Sequence, residues 1–194
     1  MVDAVIAIRR CLLLLLLALP STGFAHQLDE YIQATLVAIE PGEIRLEMNL
    51  TPGVQVASQV LALMDRDHNE AISTNEAVAY AEALQRDLLV KIDKRTVKLK
   101  LTTSTFPAVS EIRAGEGIIT IEFSLTPGSF ATGTHKLTLE NRHLPAISAY
   151  LFNAARPKST LIQITGQKRN ETQSNGEVDF NFIAPVNPAP RRRL

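Results

Sequence analysis

The chain has 194 residues, with 20 basic and 20 acidic side chains, a formal net charge of zero, one cysteine and no tryptophan. Balanced charge without a basic stripe argues against a nucleic-acid surface, and a single cysteine excludes a disulfide framework. Hydrophobic residues make up 45% of the sequence, enough for one domain with a sizeable core.

Residues 1–25 read as a secretory signal peptide. Arg9 and Arg10 precede an apolar run from Leu12 to Leu19, Pro20-Ser21-Thr22 breaks it, and Gly23-Phe24-Ala25 supplies small residues for cleavage before His26. The run is too short to span a bilayer comfortably as an uncleaved anchor. Cys11 lies ahead of it and would leave with the leader. The expected mature chain, 169 residues with 18 basic and 19 acidic side chains, has no cysteine. Its stability would then rest on a packed core, helped by a metal. No later apolar stretch is long enough to cross a membrane, so the expected product is an exported, soluble protein.

Residues 26–184 are expected to form one β-rich domain. Tyr31 to Ile39 is β-compatible, Pro41-Gly42 marks a turn, and Ile44, Leu46, Met48 and Leu50 alternate with polar residues. Thr51-Pro52-Gly53 ends that strand. A helix–loop–helix follows at about 54–88: Val60, Leu61 and Met64 share one helical face, and Ala77, Tyr80, Ala81, Leu84 and Leu88 share another. A hairpin comes next, with Leu89 to Ile92, a turn at Asp93-Lys94-Arg95, and Val97, Leu99 and Leu101 in the returning strand. Further strands are predicted around Ile119–Leu125, Leu137 and Leu139, Ala149–Phe152, Leu161–Ile164, and Val178–Phe182. Regular short strands separated by turn residues indicate a mainly β (α+β) fold. The expected architecture is an antiparallel β-sandwich-like domain with the helix–loop–helix inserted between two strands. Residues 185–194, with three prolines and three arginines, read as a disordered tail.

The connection between the two helices, Asp65-Arg66-Asp67-His68-Asn69-Glu70-Ala71-Ile72-Ser73-Thr74-Asn75-Glu76, has the spacing of an EF-hand calcium loop. Calcium is a hard cation that takes several oxygen ligands. Asp65, Asp67 and Asn69 would offer side-chain oxygens, Ala71 its carbonyl, Ser73 a hydroxyl directly or through water, and Glu76 both carboxylate oxygens. Ile72 is expected to pack inward. Glu70 departs from the pattern, because the sharp turn normally takes Gly at positive φ there. A non-Gly residue in that conformation costs roughly 1–2 kcal/mol. The site should be weakened rather than abolished.

The segments Ala25-His26-Gln27-Leu28-Asp29-Glu30-Tyr31, Leu50-Thr51-Pro52-Gly53-Val54, Asp65 to Glu76, and Glu140-Asn141-Arg142-His143-Leu144-Pro145 resemble exported bacterial EF-hand proteins. A similar module forms the extracytoplasmic N-terminal part of some membrane proteins of the nickel/cobalt-permease and hydrogenase/urease-accessory type. The resemblance implies calcium binding at Asp65, Asp67, Asn69, Ser73 and Glu76, and a periplasmic or secreted location. Transport does not carry over, since the sequence holds no membrane domain to match.

Enzyme signatures are absent: there is no His-Glu-x-x-His, no Gly-x-Ser-x-Gly, no phosphate-cradling loop and no cysteine pair. A binding or structural module is the stronger expectation. The alternative is a periplasmic transition-metal (copper or nickel) accessory protein working with a membrane transporter. There the mature N-terminal His26 and its α-amino group would chelate the metal, with His135 or His143 completing the site. Asn141-Arg142-His143 reads either as a polar recognition patch or as the terminus of an edge strand near a proline turn.

Overall fold

The computed structural model describes residues 29–128 and 130–184. Two five-stranded sheets pack face to face, and strands such as Ile44–Pro52 and Ile119–Leu125 follow from period-2 alternation with apolar inward positions. In chain order the elements are β1 (Tyr31–Ile39), β2 (Ile44–Pro52), α1 (Val54–Met64), α2 (Thr74–Asp87), β3 (Leu88–Ile92), β4 (Arg95–Thr96) and β5 (Lys100–Thr105). Then come α3 (Val109–Arg113), β6 (Ile119–Leu125), β7 (Gly133–Asn141), β8 (Ser148–Ala154), β9 (Ile162–Arg169) and β10 (Asn175–Phe182). One sheet has the order β5-β6-β2-β1-β8 and the other β4-β3-β7-β10-β9. The fold is mainly β, a sandwich with a helix–loop–helix between β2 and β3. All pairings are antiparallel except β1 with β8, which run parallel with Tyr31 opposite Ser148.

The core lies between the sheets and under the helices. Ile44, Leu46, Met48 and Leu50 of β2 and Ile119, Ile121, Phe123 and Leu125 of β6 face Val90, Leu137, Leu139, Val178 and Phe180 of the second sheet. At about 25 cal/mol per Å² of apolar surface removed from water, such side chains contribute roughly 1.5–3 kcal/mol each. Helix α1 adds Val56, Val60, Leu61 and Met64, and α2 adds Tyr80, Ala81 and Leu84. Where β8 borders the second sheet, side chains occupy its free backbone groups. Gln167 takes the Ala154 N–H at 3.0 Å and donates to the Phe152 carbonyl at 3.2 Å, and Gln173 accepts from the Phe152 N–H at 3.3 Å. Glutamine amides thus close an edge that would otherwise be open to another strand.

Three local expectations change. Val97 still follows the hairpin, its N–H reaching the Val90 carbonyl at 3.0 Å, but beyond it the segment carrying Leu99 leaves, and β5 joins the opposite sheet beside β6. A short helix, α3, fills the β5–β6 connection, with Val109 and Ile112 buried against α1 and β2. Leu88 begins β3 instead of ending α2. The leader, His26 and the tail from Pro185 lie outside the described residues. Among the described residues, no helix is long and apolar enough to cross a membrane.

Candidate metal centre

Helix α1 ends at Asp65, whose N–H still bonds to the Leu61 carbonyl. Helix α2 begins after Ser73, which caps it: the Ser73 hydroxyl accepts from the Glu76 N–H while the Glu76 carboxylate takes the Ser73 N–H at 2.9 Å. Such a reciprocal cap satisfies two amides that the helix leaves open. Between the helices the backbone turns through positive φ twice, at His68 (57°) and Glu70 (62°). The strain expected at Glu70 is therefore present, in a side chain with only an exposed Arg113 partner at 3.5 Å. Ile72 is half-buried and packs against the core, as its position predicts.

The turn brings Asp65, Asp67 and Glu76 together, with one carboxylate oxygen from each lying within 4.8 Å of the others. Calcium–oxygen distances of about 2.3–2.6 Å allow two ligands of one ion to stand up to roughly 5 Å apart, so these three oxygens can share an ion. Asp65 is buried, and its two oxygens accept the amides of Asn69 (3.0 Å) and Glu70 (3.1 Å). Asn69 donates to Asp67 at 2.8 Å and accepts the Ala71 N–H at 2.9 Å, which anchors the residue whose carbonyl would be a ligand. Ser73 donates its hydroxyl to Glu76 at 2.6 Å, and the Arg66 N–H reaches the other Glu76 oxygen at 2.7 Å. Of the six predicted positions, Asp65, Asp67 and Glu76 share one point, while Asn69 and Ser73 are tied to Asp67 and Glu76 by hydrogen bonds and Ala71 to Asn69. The donors are oxygens alone, the set that suits a hard divalent cation.

These hydrogen bonds hold the Glu76 carboxyl down to about 2, the Ser73 hydroxyl most strongly, then the Ser73 and Arg66 amides. Glu76 is consequently anionic at any ordinary pH. To give both oxygens to an ion it would exchange the Ser73 and Arg66 bonds for metal bonds.

A second polar cluster lies four residues further along α2. The Tyr80 hydroxyl stands 2.6 Å from that of Tyr31 and 3.0 Å from His143 Nε2, and His143 Nδ1 lies 2.7 Å from Asp87. Around the same backbone, Gln33 donates to the His143 carbonyl at 2.9 Å and accepts from Asn141 at 2.9 Å. Asn141 in turn accepts the His143 N–H at 2.9 Å, and Tyr150 donates to the His143 carbonyl at 2.9 Å. Tyr31, Gln33, Tyr80, Asn141 and His143 are all buried, and every described buried side-chain polar atom has a partner. Asn141-Arg142-His143 is therefore neither a surface patch nor an edge terminus. Strand β7 is the centre of its sheet, and Asn141 and His143 tie it to β1 and α2; only Arg142 turns outward, to Glu140 at 2.7 Å. Sequence reasoning missed this cluster. Its signal was present: Gln33 and Thr35 occupy inward positions of β1 in phase with Tyr31, Val37 and Ile39. A polar residue at a core phase needs a buried partner.

Neither histidine of β7 and its exit has a free ring nitrogen. His143 holds Tyr80 and Asp87, while His135 holds Asp93 and the Ala131 carbonyl, both at 2.7 Å. His135 lies near the start of β7 and His143 just past its end, so at about 3.3 Å per residue they stand up to roughly 26 Å apart. Two acceptors on one imidazole require both nitrogens to donate. Burial lowers the proton affinity of His135, but the Asp93 carboxylate and the Ala131 carbonyl outweigh it and raise the pKa above 6.5.

Comparison with protein-family models and with curated proteins returned no match.

Proposed function

We propose that Asp65 to Glu76 binds one calcium ion in an exported binding or structural module that performs no catalysis. The observation that carries this reading is the convergence of Asp65, Asp67 and Glu76 oxygens within 4.8 Å on a loop flanked by two core-packed helices. The ligands would be those three carboxylates with Asn69, the Ala71 carbonyl and Ser73. The loop stands alone and carries strain at Glu70, so the dissociation constant is expected at about 10⁻⁴–10⁻³ M, the range of extracellular modules. An ion that binds only the folded chain stabilises it by RT ln(1 + [L]/Kd), roughly 0.5–1.5 kcal/mol at millimolar calcium. A stabilising role follows more readily from such an affinity than a signalling one.

Thermal unfolding with chelator and with calcium, alongside calorimetric titration, tests this. Wild type should gain stability with calcium, and Glu76→Gln should lose most of the gain, since an amide cannot give two anionic oxygens. An unshifted wild type, or a Glu76→Gln variant that keeps the full shift, would leave this segment a simple connection.

A further inference from the structure

We propose that calcium at the loop and a proton on His143 oppose one another, with helix α2 as the element on which both act. The inference rests on the calcium reading and adds its regulation. Glu76, Tyr80 and Asp87 follow at i, i+4 and i+11, one face of α2. Glu76 faces the loop, whereas Tyr80 and Asp87 grip His143.

The titratable groups facing His143 are Tyr80 and Asp87 from α2, Tyr31 from β1 through Tyr80, and Tyr150 from β8 at its carbonyl. Their hydrogen bonds have a single consistent direction. Asp87 accepts, so Nδ1 carries the proton and Nε2 is an acceptor. Tyr80 then donates to Nε2, and Tyr31 donates to Tyr80. A second proton on the ring, at Nε2, makes that nitrogen a donor. The Tyr80 hydroxyl must then turn towards Tyr31, whose own O–H, fully buried, has no other acceptor among the described residues. A buried hydroxyl without a partner is costly. Burial accordingly holds the His143 imidazole below its usual value, with Asp87 offsetting only part of the effect.

The protonated ring is accommodated when Tyr80 parts from β1, which means a displacement of α2. The same displacement carries Glu76 away from Asp65 at the end of α1. Calcium fastens those two carboxylates together and so resists it. By reciprocity, whatever factor calcium takes from the proton affinity of His143, the proton takes from calcium affinity.

Calorimetric calcium titrations of wild type and His143→Gln at pH 7.5 and 5.0 test the proposal. Wild type should bind about tenfold more weakly at pH 5.0, within the roughly 5–150-fold span of such couplings, and His143→Gln should change less than about threefold. An equal loss in both proteins assigns the proton to the loop and overturns the proposal, as does an unchanged wild type. No binding by wild type at pH 7.5 defeats the calcium reading itself, and the proposal with it. Should His143→Gln fail to fold, the wild-type ring resonances decide. Their titration midpoint must fall when calcium is added while that of His135 stays put, and a stationary His143 midpoint overturns the coupling.

Discussion

Replacing Glu70 by glycine separates the strain in the turn from the chemistry of the ligands, because Glu70 is not itself a donor. Its φ of 62° lies in the left-handed region, which costs a non-Gly residue roughly 1–2 kcal/mol. Glycine removes that cost but brings back about 0.5–1 kcal/mol of backbone entropy lost on folding. The Arg113 contact also disappears, yet both side chains are more than half exposed, and such pairs contribute close to nothing. Glu70→Gly should therefore stabilise the chain by about 0.5 kcal/mol, the difference of those two terms. Glu70→Ala loses the same ion pair and keeps the strained φ, so it should fall below Glu70→Gly by roughly the same margin. Urea unfolding of the three proteins in chelator reads the differences directly, and calcium titration shows whether affinity follows. An alanine variant as stable as the glycine variant would refute the reasoning. The turn would then not pass through positive φ at residue 70.

Acid should expose the Glu76 contribution. Its folded value of about 2 lies below the ordinary 4.5, so its stabilisation is complete above pH 4.5 and is lost as the pH falls towards 2. In chelator, Glu76→Gln should lack that part of the acid transition, and a superimposable curve would rule out the cap. His135 should behave in the opposite sense, its contribution present below pH 6.5 and lost as the pH rises through its raised folded value. Asp93→Asn should shift the His135 resonance titration downward, and an unmoved midpoint would show that the carboxylate does not hold the ring. At Gly176 an added methyl would penetrate the ring of Phe152, which is buried between the sheets. Gly176→Ala should cost about 1–3 kcal/mol in thermal unfolding, and a neutral result would mean that the sheets do not approach so closely there.

The parts of this fold that were legible in the sequence are those fixed by local period. The alternation in β2 and β6 predicts half-buried strands, and the stripes of α1 and α2 place both helices within a residue or two. The ligand spacing of the loop announces where its carboxylates will converge. Pairing was not legible, because period-2 alternation says which face a strand buries and not which neighbour it takes. Val97, Leu99 and Leu101 alternate as a hairpin return would, yet from Lys100 the chain pairs in the other sheet, since the three residues after β4 suffice to span the sandwich edge. The buried cluster failed for a related reason. Tyr31, Tyr80 and His143 are far apart in the chain, and each alone has an ordinary explanation as an aromatic core residue or a polar turn.

The parallel pairing of β1 with β8 has a consequence for the order of assembly. Strand β1 meets β2 through a short turn, but its other neighbour arrives more than a hundred residues later. Closing so large a loop is entropically late, and contacts of that range slow folding. The β1–β2 hairpin and the helical hand can form from nearby sequence while the far side of β1 is still wet. Gln33 keeps water on its amide until Asn141, His143 and Ser148 are delivered, and only then can the polar cluster be sealed. A chain truncated before β8 would accordingly strand a glutamine and a threonine on the core side of β1. The long closure makes completion of the polypeptide a condition for a dry interior.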